Sequence, residues 1–222
     1  MSERTLRFIF DYESPNAYIA WMELPRLEET YGLHLELTPV LYAGLLDAHG
    51  SVGPGEISAK GRWMTRDLLR KSARLGVPLN PPPHFPFNPL LALRVSLLDF
   101  ADETRRCVIQ ALFEAVWVRE LHVSELAIVE RVLDELDLPA AELLEQAQSP
   151  EIKTLLRSQT DEVAARGVFG VPAMEVDGEI FWGYDDFPHL ELFLAGEDPL
   201  DPQRLADWAK PRPASSNRRA YR

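Results

Sequence analysis

The 222-residue chain has a single cysteine, Cys107. One thiol closes no internal disulfide, completes no Cys-x-x-Cys redox pair and builds no zinc site, so a reducing, cytoplasmic setting is the expectation. On its helix, beside Ala111 and Ala115, Cys107 reads as a core residue. The five histidines (34, 49, 84, 122 and 189) show no ligand spacing, and no metal is expected. Neither a G-x-x-x-x-G-K-[ST] nor a G-x-G-x-x-G motif occurs, which removes the usual nucleotide cradles. No run approaches the ~18 uninterrupted apolar residues of a membrane span. The opening MSERTLRFIFDY is charged and then strand-like, unlike a signal peptide.

Positive charge is also scarce. Lys and Arg number 23 against 35 Asp and Glu, a net charge of −12. Residues 210–222 carry five basic residues and no acidic one, so taking those five from the net −12 leaves −17 on the remainder. A body that acidic repels nucleic acid and anionic membrane, and neither is expected as a partner. Hydrophobic residues at 46% make a folded interior the default, in one large domain or one domain with an insertion.

What is present begins with TLRFIF (residues 5–10), an apolar run suited to a buried strand. Ser14-Pro15 supplies an N-cap and a proline at the first helical position, and Gly32 a C-cap. Residues 33–41 then alternate apolar and polar, so the chain opens β-α-β with its first turn at Ser14, an order that favours parallel strands. Residues 43–58 are glycine-rich, loop-like and open to several readings. Helical patterns follow over 60–75, 88–100, 103–121, 124–136, 140–148 and 149–166 with no convincing strand between them. Strands return at 173–182, divided by Asp177-Gly178, a type I′ hairpin signal. A short helix covers 185–194.

In that order lie Asp11-Tyr12-Glu13-Ser14-Pro15-Asn16-Ala17-Tyr18, Lys60-x-x-Trp63-x-x-x-Asp67, Phe85-Pro86-Phe87-Asn88 with Arg94, Gly167-Val168-Phe169-Gly170-Val171-Pro172 and Phe181-Trp182-Gly183-Tyr184-Asp185. The ordered set resembles the 2-hydroxychromene-2-carboxylate isomerases, relatives of the kappa-class glutathione transferases in the DsbA-like thioredoxin superfamily. The resemblance spans about residues 6–195. It implies an α/β thioredoxin-like fold of discontinuous units: 1–42 and 158–198, with an all-helical insertion over 43–157. Residues 199–222 are expected to be a tail without regular structure.

The resemblance also implies a chemistry, a glutathione-dependent isomerisation. Ser14 stands where thioredoxin-like oxidoreductases carry their first cysteine, and Ala17 takes the second position, so dithiol exchange is excluded. A hydroxyl at a helix N-terminus can instead donate to a borrowed thiolate and lower its pKa. Glutathione, or another low-molecular-weight thiol, is the expected cofactor, met by Ser14, Asn16, Val171, Pro172 (cis by resemblance), Asp185 and Asp186. Lys60, Trp63 and Asn88 are the expected contacts to an aromatic or electrophilic small molecule, although helix capping alone also explains Asn88. Trp63 stands where relatives usually have Tyr. A kappa-like transferase and a non-catalytic thioredoxin-like binding module stay open as alternatives, and a homodimer is expected by analogy. The arginines at 62, 66, 70 and 74 read as a solvated or salt-bridged face.

Overall fold

The computed structural model describes residues 4–210. Strand β1 (Arg4–Phe10) lies at the centre of a four-stranded sheet of order β2-β1-β3-β4, with β2 at Leu33–Pro39, β3 at Ala173–Val176 and β4 at Glu179–Trp182. The expected parallel pairing holds for β1 and β2, which align Leu6 with Leu35 and Phe8 with Leu37. On the other side β3 runs antiparallel to β1 and to β4. Asp177 and Gly178 both take positive φ, 52° and 89°, so the β3–β4 turn has the backbone that a two-residue hairpin requires.

Because side chains alternate across a strand, β1 feeds two interiors. Leu6, Phe8 and Phe10 face helix α1 (Pro15–Tyr31) and helix α5 (Asp102–Trp117), in a core that includes Tyr12, Tyr18 and Phe113. The Phe10 ring lies 5.6 Å from those of both Tyr12 and Phe113. Burying such rings is worth roughly 1.5–3 kcal/mol each, enough to fix the register. Ile9 points the other way, into a smaller core of Val40, Leu45, Val163, Val168 and Val171. That core is roofed by α2 (Tyr42–His49) and α8 (Pro150–Ala165).

Helix α2 occupies part of the loop-like 43–58 segment. It is short and buries only Leu45, so its own periodicity is weak; distant partners hold it. Leu41 N–H donates to Thr160 Oγ1 at 3.0 Å, and Tyr42 N–H to Asp11 Oδ2 at 2.8 Å. A short 3-10 turn at Pro54–Glu56 leads into α3 (Ser58–Leu75), followed by α4 (Leu90–Ser96), α5, α6 (Leu126–Asp134), α7 (Ala140–Ala147) and α8. Cys107 is exposed on α5, not in the core, because the buried face of that helix is carried by Val108, Ile109, Leu112 and Phe113. After β4 come a 3-10 turn at Tyr184–Asp186 and α9 (Phe187–Ala195).

The segment expected to lack structure begins with helix α10 (Pro202–Ala209), whose Asp201 cap accepts from Gln203 N–H at 2.9 Å. Residues 211–222 of that segment lie outside the described residues. Helix α8 runs unbroken across the expected unit boundary at 157/158.

The helical part clamps the loop between β1 and α1. Tyr12 OH and Ser96 Oγ, on α4, lie 2.6 Å apart, and Trp117 Nε1 on α5 donates to Tyr12 O at 3.0 Å.

Candidate active site

Ser14 caps α1 with extended backbone (φ −93°, ψ 110°), and Pro15 at the first helical position has no N–H to satisfy. The half-buried hydroxyl of Ser14 does two things. Its oxygen accepts from Ala17 N–H at 3.2 Å, and its proton is directed at Val171 O, 3.3 Å away. The Val171–Pro172 peptide is cis, as the resemblance implies. Gly183 N–H holds Pro172 O at 2.8 Å, tying this loop to the end of β4. The serine and the cis-proline loop therefore face each other across a hydrogen bond that a competing acceptor could take over.

The first turn of α1 meets two other elements through Lys71, a residue that sequence reasoning missed. Lys71 is 5% exposed, on the inner face of α3. Its Nζ lies 2.6 Å from Asp67 Oδ2, 2.7 Å from Asp185 Oδ2 and 3.2 Å from Asn16 Oδ1. One ammonium thus uses its three protons to join α3, the 184–186 turn and α1. Asp67-x-x-x-Lys71 is an i,i+4 ion pair, a signal that could have drawn attention to it. Asp185 itself is open to solvent, its side chain 69% exposed, so most of its carboxylate surface faces outward. The Tyr184 ring backs the cluster, with Lys71 Nζ and Arg74 Cζ each 5.9 Å from its centroid. Burial raises the Tyr184 pKa, and the charge of Glu23 adds to it.

Asp186 is placed differently from its neighbour. Its Oδ2 accepts from Trp182 N–H at 3.0 Å, which commits that oxygen to the turn. Asn88 is exposed, with Oδ1 accepting from Leu90 N–H at 3.0 Å as α4 begins, so the capping role accounts for it. Lys60 and Trp63 sit exposed near the start of α3, Trp63 at 61%. The geometry therefore brings together Ser14, Val171 and Pro172 on one side and Asn16 and Asp185, through Lys71, on the other. Lys60, Trp63 and Asn88 belong to the surroundings.

Beside the proline loop an exposed aromatic pair forms a wall, with the Phe169 and Trp182 rings 5.0 Å apart. Gly170 lets it close, because a Cβ there would lie 2.7 Å from Trp182 Nε1. Gly170→Ala is expected to swing the indole outward, cost about 1 kcal/mol from the lost ring contact, and raise acrylamide quenching of the tryptophan fluorescence. Unchanged quenching would remove that constraint.

Under Ser14, Asp11 is fully buried. Its two oxygens accept from Glu13 N–H (3.0 Å) and Tyr42 N–H (2.8 Å), and its carbonyl accepts from Ser14 N–H at 3.1 Å. Burial pushes its pKa up to about 7, against those two hydrogen bonds. Glu13 is raised as well, by burial and then by the charge of Glu56.

Away from Ser14, a polar hollow of about 760 Å³ lies over the N-terminal half of β1. Its charges largely satisfy one another: Arg4 pairs with Asp177, Arg7 with Glu36 and Glu162, and Arg166 with Glu175. Glu175 Oε2 is the buried oxygen left without a partner there. No helix among the described residues is long and apolar enough to cross a membrane.

Comparison with known proteins finds relatives over most of the chain. A profile of the DsbA-like thioredoxin domain matches residues 5–195. The chain is 30% identical over 193 residues to a 2-hydroxychromene-2-carboxylate isomerase of Sphingobium xenophagum, covering 86% of this chain and 98% of that protein. It is 26% identical over 213 residues to glutathione S-transferase kappa 1 of Homo sapiens, covering 90% and 94%. Among solved structures, a 2-hydroxychromene-2-carboxylate isomerase superposes with a TM-score of 0.80 at 24% identity, over 93% of this chain and all of the other. The cytosolic disulfide reductase DsbM of Pseudomonas aeruginosa, solved with GSH, superposes at 0.61 with 16% identity, over 86% and 96% of the two chains. At those identities the superpositions speak for the fold.

Proposed function

This chain belongs to the DsbA-like thioredoxin domain family, and on that premise we propose that it is a glutathione-dependent isomerase of the 2-hydroxychromene-2-carboxylate type. The observation that carries the reading is the Ser14 hydroxyl, held at the N-terminus of α1 and turned toward Val171 O beside a cis proline. The relative at 30% identity, an isomerase by name, supports the reaction class.

When bound, the thiol supplies a nucleophile that adds to a conjugated carbon of the substrate and is expelled once the former double bond has rotated, so it is regenerated. The residues of this chain do the rest. Ser14 gives up its bond to Val171 O and donates to sulfur, assisted by the N–H groups and dipole of the first turn of α1. The Val171 backbone pairs with the cysteinyl segment as an added strand would. Asp185, steadied by Lys71, takes the γ-glutamyl ammonium, with Asn16 alongside. Pro172 shapes the loop, and Asp186 braces the turn at Trp182 N–H while adding negative charge to this end. Lys60 and Trp63 offer a cation and an aromatic surface to the substrate.

Ser14→Ala tests the reading. Removing a hydrogen bond to a charged partner is worth about 1.5–3 kcal/mol, so the pKa of bound glutathione should rise by about 1–2 units in a thiolate absorbance titration. The helix loses a cap worth about 1 kcal/mol and keeps its fold. An unchanged titration removes Ser14 from the chemistry. A second reading, kappa-like conjugation, is favoured by the human transferase relative; product analysis separates the two, since conjugation consumes the thiol. No binding of glutathione, bacillithiol or coenzyme A at millimolar ligand would favour a binding module without catalysis.

A further inference from the structure

Arg62, Arg66, Arg70 and Arg74 follow one another at four-residue intervals on α3, all exposed. They place four guanidiniums along about 18 Å of one helix flank. Like charges one turn apart weaken a helix, and 35 acidic residues are available to neutralise them. That neutralisation is not made. Among the described residues Arg62, Arg66 and Arg70 form no ion pair. Arg74 turns to the Tyr184 hydroxyl at 3.4 Å and to its ring. Of the two expected faces, salt-bridged or solvated, the solvated one is found: a row of cations without ion pairs among the described residues, on a strongly acidic chain.

The row borders the candidate site. Trp63, Asp67 and Lys71 form the adjacent ridge of α3, and Lys71 reaches Asn16 and Asp185. Trp63 precedes Arg66 by three residues and Arg70 by seven, so indole and guanidiniums share a flank. A large anionic partner meets the negative field of the remaining surface, whereas a small anion responds to the local potential. Guanidinium also suits a carboxylate better than ammonium does, because its planar fork donates two parallel hydrogen bonds.

We propose that Arg66 and Arg70, with Trp63, form the capture surface for an anionic aromatic substrate, the guanidiniums binding its carboxylate and the indole its ring. This rests on the thiol-addition reading and moves carboxylate recognition from Lys60 to the arginine row. The test uses the full-length protein and the Arg66→Gln/Arg70→Gln double variant, with 2-hydroxychromene-2-carboxylate as the anionic probe and its methyl ester as the neutral one. Binding is read from tryptophan fluorescence at low and high salt. The variant should bind the anion about tenfold more weakly at low salt, with the wild-type salt dependence largely gone and ester affinity unchanged. Equal affinity and equal salt slopes in the two proteins would overturn the proposal. So would a changed sedimentation coefficient in the variant with intact anion binding, which assigns the row to a contact between copies. The thiolate titration of bound glutathione is read in parallel. Its absence in the wild type sinks the thiol reading, while the binding comparison still decides the arginines.

Discussion

Lys71→Met should lower both the stability of this protein and its affinity for glutathione. Methionine keeps the length of the buried stem while deleting the charge, so packing is nearly conserved and the electrostatic loss is isolated. Breaking a buried ion pair by removing one partner costs about 3–5 kcal/mol where the other charge stays buried. Here Asp67 is 21% exposed and Asp185 69%, so both carboxylates regain some water and the lower end applies, about 3 kcal/mol. For a chain of this size that is a fall in melting temperature of roughly 6–12 °C. Asn16 and Asp185 would lose their common tether, and glutathione should bind about tenfold more weakly, the cost of poorer positioning. Asp185→Asn separates the two effects. Lys71 keeps Asp67, stability changes by no more than about 1 kcal/mol as for an exposed pair, and glutathione affinity still falls. If Lys71→Met melts with the wild type, the ammonium is not a structural link.

Lys71 also shows where sequence reading stops. The cations at 60, 62, 66, 70, 71 and 74 lie on several faces of α3, and composition cannot say which one is buried. Only the meeting of α3 with the first turn of α1 and the 184–186 turn decides it, and those elements are 55 and 114 residues away. Where the signal is local and nothing in the neighbouring composition opposes it, sequence and structure agree. Ser14-Pro15 and Gly32 bound α1 because cap chemistry is set by neighbours in the chain, and Asp177-Gly178 turns the hairpin because both residues accept positive φ. Helix α2 was hidden for the same reason as Lys71, being held by Thr160 and Asp11 rather than by its own pattern. Helix α10 was legible: Asp201-Pro202 is the same kind of start signal as Ser14-Pro15, outweighed by the charge of the residues that follow. The site divides along this line too. Ser14 can be read from its cap, whereas the opposition of its hydroxyl to Val171 O joins residues 157 apart.

Asp11→Asn is expected to gain about 4 kcal/mol on the wild type between about pH 4 and pH 8. The sign follows from the direction of the shift. Burial raises the folded-state pKa of Asp11 from 3.8 to about 7, so the folded protein holds this proton more tightly than the unfolded chain. The resulting stability is fully present below the unfolded pKa and is lost as pH rises through the folded one, at about 1.4 kcal/mol per unit across the gap. Asparagine does not titrate and lacks that slope. It carries a constant penalty instead: both carboxyl oxygens accept backbone N–H groups, from Glu13 and Tyr42, and an amide nitrogen cannot accept, so one donor is stranded at about 1–3 kcal/mol. The variant should therefore be the weaker protein in acid and overtake the wild type as pH rises. The charge that acts on Asp11, that of Glu13, is present in both proteins and largely cancels in the difference. Paired urea titrations across this range give that difference directly, and parallel curves would mean that Asp11 is ionised throughout. The outcome bears on the site because Ser14 N–H donates to the Asp11 carbonyl. The loop that presents the hydroxyl is built on a carboxyl group that folding keeps protonated until about pH 7, so the support of the site weakens as the pH rises through that value.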